Sequence, residues 1–146
     1  MSRVFTSLNT GAAIYVFSND HCPPHVHARH RGERWIARVR FSFVDNVVEL
    51  LSIAPTRNLP LQRAVNWLLD DIEAELPACR RSWWAIRQTT CLANQWAIAS
   101  RSGAIELVPE GEPHARQIAE VIYEPEQERL RVRFHDGTTA EANTWL

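Results

Sequence analysis

The chain has 146 residues, 45% hydrophobic and 23% charged, with a formal net charge of −1. That suits one globular domain, or one with a small appendage. Its longest apolar runs fall short of the ~18–20 residues of a membrane span, and its N-terminus lacks a signal peptide's charged-then-apolar layout, so a cytoplasmic protein with no membrane partner is expected.

Ala12 to Phe17, between turn residues Asn9-Thr10-Gly11 and Ser18-Asn19-Asp20, reads as the first strand. The segment Asn19 to Arg29, N-D-H-C-P-P-H-V-H-A-R, follows and holds three of the six histidines. Each proline fixes its own φ and drives the preceding residue out of the α region, so Cys22, Pro23 and Pro24 are expected to form an extended connector into a strand starting near His25. Arg31-Gly32-Glu33 makes a hairpin turn. From Arg34 to Val44, apolar Trp35, Ala37, Val39, Phe41 and Phe43 alternate with Arg34, Arg38, Arg40 and Ser42, the pattern of a strand with one core face and one wet face. Asp45-Asn46 turns the chain into a third strand of the same meander, Val47 to Ile53.

Period three and four then takes over. Leu61, Ala64, Val65, Leu68, Ile72 and Leu76 define an amphipathic helix, with Thr56 or Asn58 as N-cap, Pro60 near its first position and Pro77 as its stop. Ala78 to Ile86 is expected to be a second short helix. Residues 88–113 carry little pattern beyond two candidate strands, Gln95 to Ala99 and Ala104 to Val108. Pro109, Gly111 and Pro113 mark a boundary. Ile118 to Glu124, Arg129 to Phe134 and Thr138 to Ala142 then read as short strands, the last two joined at His135-Asp136-Gly137. The expectation is an α+β fold: a small antiparallel sheet packed on one main amphipathic helix, with a C-terminal β-meander. Its parts are a His/Arg-bearing domain (1–87), a linker or irregular insert (88–113) and a small β element (114–146).

Charge divides along the same line. Residues 1–103 carry twelve arginines against eight acids, and residues 104–146 four against nine. A basic body suits an anionic partner, and an acidic end suits self-covering or separate docking. Cys22, Cys79 and Cys91 are few, odd in number and widely spaced, which argues against a disulfide framework. No C-x-x-C pair supports a zinc ribbon.

The candidate chemistry lies in the histidine segment. Alternate strand residues share a face, so His25, His27 and Arg29 project together, each roughly 6–7 Å from the next. Four readings fit. The histidines could work as general acid and base at neutral pH, assisted by His21 and Asp20. They could ligate a divalent transition metal through His21, His25 and His27. With Arg29 they could bind phosphate or carboxylate without chemistry. They could also hold an irregular loop by bonding to backbone. Arg29 repels a cation and suits a phosphate, so anion chemistry without a metal ranks first. Arg34, Arg38 and Arg40 extend this to a phosphate-tracking face, or are simply the wet side of a half-buried strand. Trp35 and Trp67 are expected in or beside the core, leaving Trp83, Trp84 and Trp96 open for base stacking. Cys22 is a weaker candidate nucleophile.

Asp20-His21 followed by Pro23-Pro24-His25-Val26-His27, entering a strand around Trp35 to Phe41, resembles the bacterial domain-of-unknown-function family 4160 over about residues 14–84. Leu61 to Leu76 and Trp83 or Trp84 match that family's helix and terminal tryptophan. Arg131 to Gly137, R-V-R-F-H-D-G, resembles domain-of-unknown-function family 2442 over about residues 118–146. The resemblances imply a toxin–antitoxin-type or related regulatory protein acting on, or bound near, RNA or DNA. They also imply a cognate small protein encoded nearby, and a homodimer is a further expectation. An enzyme here would be a metal-independent phosphodiesterase or ribonuclease-like hydrolase using His25, His27, His21 and Asp20, with Arg29, Arg34, Arg38 and Arg40 on the anion. The alternatives are an antitoxin- or immunity-like module that occludes a partner, and a small metal-dependent enzyme.

Overall fold

A computed structural model describes residues 1–144 and divides the chain into two compact units: Met1–Ser42 with Asn46–Gln88, and Phe43–Asp45 with Thr89–Leu146. The fold is α+β, with two five-stranded antiparallel sheets and a C-terminal strand meander.

The first unit is a meander whose strands pair in chain order: β1 (Ser2–Thr6), β2 (Ala13–Val16), β3 (His25–His30), β4 (Trp35–Arg40) and β5 (Glu49–Ala54). Strand β4 follows the alternation of its sequence. Trp35, Ala37 and Val39 are buried, and Ile36, Arg38 and Arg40 are exposed. Val26 and Ala28 of β3 pair with Val39 and Ala37, and Ile14 of β2 pairs with Ala28, so one sheet face is apolar throughout its centre. Two helices follow, α1 (Gln62–Ala74) and α2 (Leu76–Arg87). Helix α1 buries Val65, Leu68 and Ile72 at the expected spacing, and α2 packs against β1 and β2 while burying Leu76, Cys79 and Trp83. Asp71 ties α1 to the β1–β2 turn: its carboxylate accepts bonds from the Ser7 hydroxyl at 2.6 Å and from the backbone and side-chain amides of Asn9.

Several local expectations are corrected. Strand β1 lies in a stretch the sequence did not mark. Thr56–Asn58 forms a 3-10 turn instead of a cap, and α1 begins after Leu61 with no side-chain cap bond. Pro77 does not stop a helix; it occupies the first turn of α2, where a missing N–H costs nothing. Trp67 is 44% exposed, whereas Trp83 is fully buried, reversing their expected places. Residues 22–23 form a bend with a cis Cys22-Pro23 peptide, where an extended connector was expected. Cys79 is a free, buried thiol, but Cys22 and Cys91 are each disulfide-bonded, although the few, widely spaced cysteines argue against a disulfide framework.

The second unit holds β6 (Trp96–Ala99), β7 (Ile105–Val108), β8 (Arg116–Glu124), β9 (Arg129–Phe134) and β10 (Thr139–Asn143), in the order β10-β9-β8-β6-β7. Strand β6 pairs with both β7 and β8, so residues 88–113 are not a linker: both strands within them belong to the sheet. Ile118, Tyr123, Leu130, Val132 and Phe134 form the core, with Phe43 edge-on to Tyr123 at 5.0 Å. On the exposed side the segment's charges answer one another: Arg133 meets Glu120, and Arg129 meets Glu124 and Glu141. Residues 145–146, the end of the expected β element, lie outside the described residues.

Two predictions follow from the first unit. Phe41 is buried, whereas Arg40 is exposed and makes a 3.9 Å surface contact to Glu49. Phe41→Ala should therefore cost on the order of 3–5 kcal/mol in denaturant unfolding, and Arg40→Ala no more than about 0.5 kcal/mol. Equal losses would mean a register slip by one residue. Burial tends to raise the Asp71 carboxyl, but the Ser7 hydroxyl and the two Asn9 amides outweigh it and hold its pKa below the ordinary value. A carboxyl depressed in the folded state stabilises fully above its unfolded pKa, near ~3.9, and loses that contribution as pH falls through the folded value. Wild type should exceed Asp71→Asn in melting temperature at pH 7, with the gap closing below about pH 4. A gap that widens on acidification would contradict the network.

Candidate functional site

The site belongs to the first unit and is built by the β2–β3 connection. Beyond β2, the chain turns at Phe17 to Asp20, closed by the Asp20 N–H donating to the Phe17 carbonyl at 3.2 Å. The Asp20 side chain bends back, and Oδ2 accepts the Phe17 N–H at 2.9 Å. Oδ1 is left facing β3. There it meets Nε2 of His27 at 3.0 Å and Nε2 of His25 at 3.5 Å. One carboxylate thus uses one oxygen to hold its own turn and the other to face two imidazoles.

The two rings differ in freedom. His25 is 3% exposed and packs beside the buried Trp83 ring at 5.5 Å between centroids. Its Nδ1 lies 2.8 Å from the Pro23 carbonyl. A carbonyl only accepts, so Nδ1 carries a proton, and Nε2 is left to face Asp20, as a lone pair when the ring is neutral and as an N–H when it is protonated. His27 is half-buried, edge-on to Phe17 at 4.5 Å and 5.1 Å from the His25 ring. Its Nε2–H donates to Asp20. The Asp20 carboxyl titrates below its ordinary value: burial pushes it up, but the Phe17 amide, the His27 hydrogen bond and the charge available on both rings outweigh that. An ionised carboxylate is therefore held at a largely buried position.

Above these groups lies an open recess of about 300 Å³, lined by Asn19, Asp20, His21, Cys22, His25, His27 and Arg38. Arg38 arrives through strand register, opposite His27 across the β3–β4 ladder. Protein-family models, curated proteins and solved structures all lack a match to this chain. What the site can do rests on its own geometry.

The structure draws together Asp20, His25, His27 and Arg38, with His21 on the rim. It does not form the exposed His25–His27–Arg29 row expected from strand alternation. His25 is buried because the chain folds Trp83 and the Pro23 carbonyl against it. Arg29 shares their face but pairs with Ala13 and Ile36, one strand step further along. It joins His30, Arg31 and Arg34 at a separate recess of about 280 Å³. Arg34 is in the hairpin turn at φ 58, outside β4. Arg40 lies opposite His25 in register but points to Glu49. The anion stripe is thus dispersed, with Arg38 alone among those four arginines in the histidine recess. Cys22 sits on the rim but, being disulfide-bonded, offers no thiolate. Sequence reasoning missed Phe17, Pro23 and Trp83 as the groups that fix the rings. Trp83 read in sequence as one of three tryptophans open for base stacking, not as a group that covers His25. Among the described residues, Asp20, His25 and His27 offer ligand atoms that all lie within 4.8 Å of one another; His21, the expected third histidine ligand, is not among them.

Proposed function

We propose that this chain is a regulatory protein of toxin–antitoxin type that acts on nucleic acid, taking a phosphodiester into the recess of the first unit. The supporting observation is that the exposed Arg38 lines the same recess as half-buried His27, with the ionised Asp20 behind that ring. A guanidinium holds a phosphate oxygen by charge-assisted hydrogen bonds, and a carboxylate-oriented imidazole is a general means of moving a proton at neutral pH. Arg29, Arg31 and Arg34 at the neighbouring recess give a longer strand further phosphate contacts. The resemblance of Asp20 to His27 and of Arg131 to Gly137 to two small uncharacterised families points to the same regulatory class.

A second reading draws on one observation. His25 is buried against the Pro23 carbonyl and Asp20 closes its own turn on Phe17, which is also how a purely structural clamp would be built. The protein would then be an antitoxin- or immunity-like module that occludes a partner.

Labelled RNA and single-stranded DNA incubated with the purified full chain separate the two. On the phosphodiester reading the wild type cleaves one of them, and His27→Ala lowers the rate about 10²–10⁴-fold. Arg38→Ala weakens binding and reduces its salt dependence by about one counterion. Binding and cleavage both absent in the folded wild type would overturn that reading in favour of the clamp.

A further inference from the structure

Nε2 of His25 faces the Asp20 carboxylate from 3.5 Å, beyond a direct hydrogen bond of ordinary length. The Nδ1 proton of His25 is committed to the Pro23 carbonyl, so in its neutral form the ring has an unprotonated Nε2 aimed at the Asp20 carboxylate. Two acceptors facing each other at that distance repel unless a positive centre lies between or beside them. His27 directs its own Nε2 at the same carboxylate oxygen from 3.0 Å. Three donor atoms, two nitrogens and one oxygen, converge on one point.

The geometry points to a divalent transition-metal site formed by Nε2 of His25, Nε2 of His27 and a carboxylate oxygen of Asp20. A tetrahedral ion at about 2.0–2.1 Å from its nitrogens separates neighbouring ligand atoms by about 3.3 Å. The separations here, 3.0 and 3.5 Å with all three atoms within 4.8 Å, bracket that value with little movement. Two imidazoles and one carboxylate on one side of an ion are the donor set of zinc hydrolases and of two-histidine, one-carboxylate iron centres, and they leave coordination positions open. Those positions face the recess.

The supporting groups are also those a metal site needs. Metal-bound histidines commonly donate their other ring N–H to a carbonyl, which fixes the tautomer and aims the ligand nitrogen, as the Pro23 carbonyl does for His25. The Phe17 amide does the equivalent for Asp20 by holding Oδ2. Trp83 and Phe17 stop the rings from turning away. Binding requires one change at His27: solvent takes the proton from Nε2 and, where the ring started neutral, returns one to Nδ1, so that the neutral ring ligates through Nε2. Arg29, which would oppose a cation, lies one strand step away, outside the recess. Arg38 stays at the recess wall, where an anionic group of a ligand could reach both it and the ion.

This inference rests on the phosphodiester reading but changes its chemistry, since a His27 bound to an ion through Nε2 no longer moves a proton at that atom and the ion takes over that role. Metal uptake is measured without any nucleic acid. Chelator-treated full chain titrated with zinc chloride should take up one equivalent. Ring nitrogen resonances of His25 and His27 should shift, and those of His21, His30, His114 and His135 should not. Before zinc is added, His25 should show its proton on Nδ1. Asp20→Asn and His27→Gln should each weaken zinc binding at least about 10-fold while remaining folded by circular dichroism. If either variant fails to fold, the wild-type resonances decide alone. Uptake below a tenth of an equivalent, or shifts centred on His21 or His30, would overturn the inference. Zinc bound at His25 and His27 without any turnover of RNA or DNA would end the phosphodiester reading and leave the metal site standing. Undiminished cleavage in chelator, with no zinc uptake, would do the reverse.

Discussion

Everything at the candidate site depends on where the Asp20 carboxylate is held. One oxygen is fixed by the Phe17 amide, at the turn that ends β2, so the other cannot choose its direction. It must face the start of β3, where strand alternation places His25 and His27 two residues apart on the same side. A carboxylate buried to this degree is expensive without compensation. Here an amide and two imidazoles supply it, and the depressed pKa of Asp20 is the consequence. The two rings are then not interchangeable. His25 is locked by a carbonyl and a tryptophan, whereas His27 keeps an edge toward solvent.

The sheet supplies the rest through register. Because β3 and β4 pair antiparallel, His27 stands opposite Arg38, and the only arginine of the stripe that reaches the recess does so for that reason. The same ladder sends Arg29 to the far end of the face and Arg40 toward Glu49. Burial of Val26, Ala28, Ala37 and Val39 on the other face fixes this register, since a slip of one residue would drive Arg38 and His27 into the core. Core packing and site chemistry are therefore the two sides of one alternating pattern.

Much of this was legible in the residues. The period-two run from Trp35 to Phe43 and the period-three-and-four run from Val65 to Ile72 produced β4 and α1 nearly as read, because both patterns mark faces that the fold buries. The convergence of Asp20, His25 and His27 was partly legible, from their spacing about the Pro-Pro pair. What stayed hidden was non-local. Trp83 lies fifty-eight residues beyond His25 in sequence, so its part in burying that ring follows only from α2 packing on the sheet. The place of Pro77 was misread because a proline that ends one helix and one that begins the next look alike in sequence. Residues 88–113 read as a linker or irregular insert because β6 and β7 are short; they pair with each other, and only β6 joins the rest of the sheet, through β8, which begins at Arg116. Alternation alone put Arg29 beside His25. It gave no sign that the backbone would bury one and leave the other exposed.

The central claim is that Asp20, His25 and His27 enclose a single point where a cation belongs. Anomalous diffraction from crystals of the full chain grown with cobalt(II) tests it most directly. The account predicts one peak within about 2.0–2.2 Å of Nε2 of His25, Nε2 of His27 and an Asp20 oxygen. A peak at His21, His30 or another surface histidine, with the Asp20–His27 hydrogen bond still closed, would contradict it.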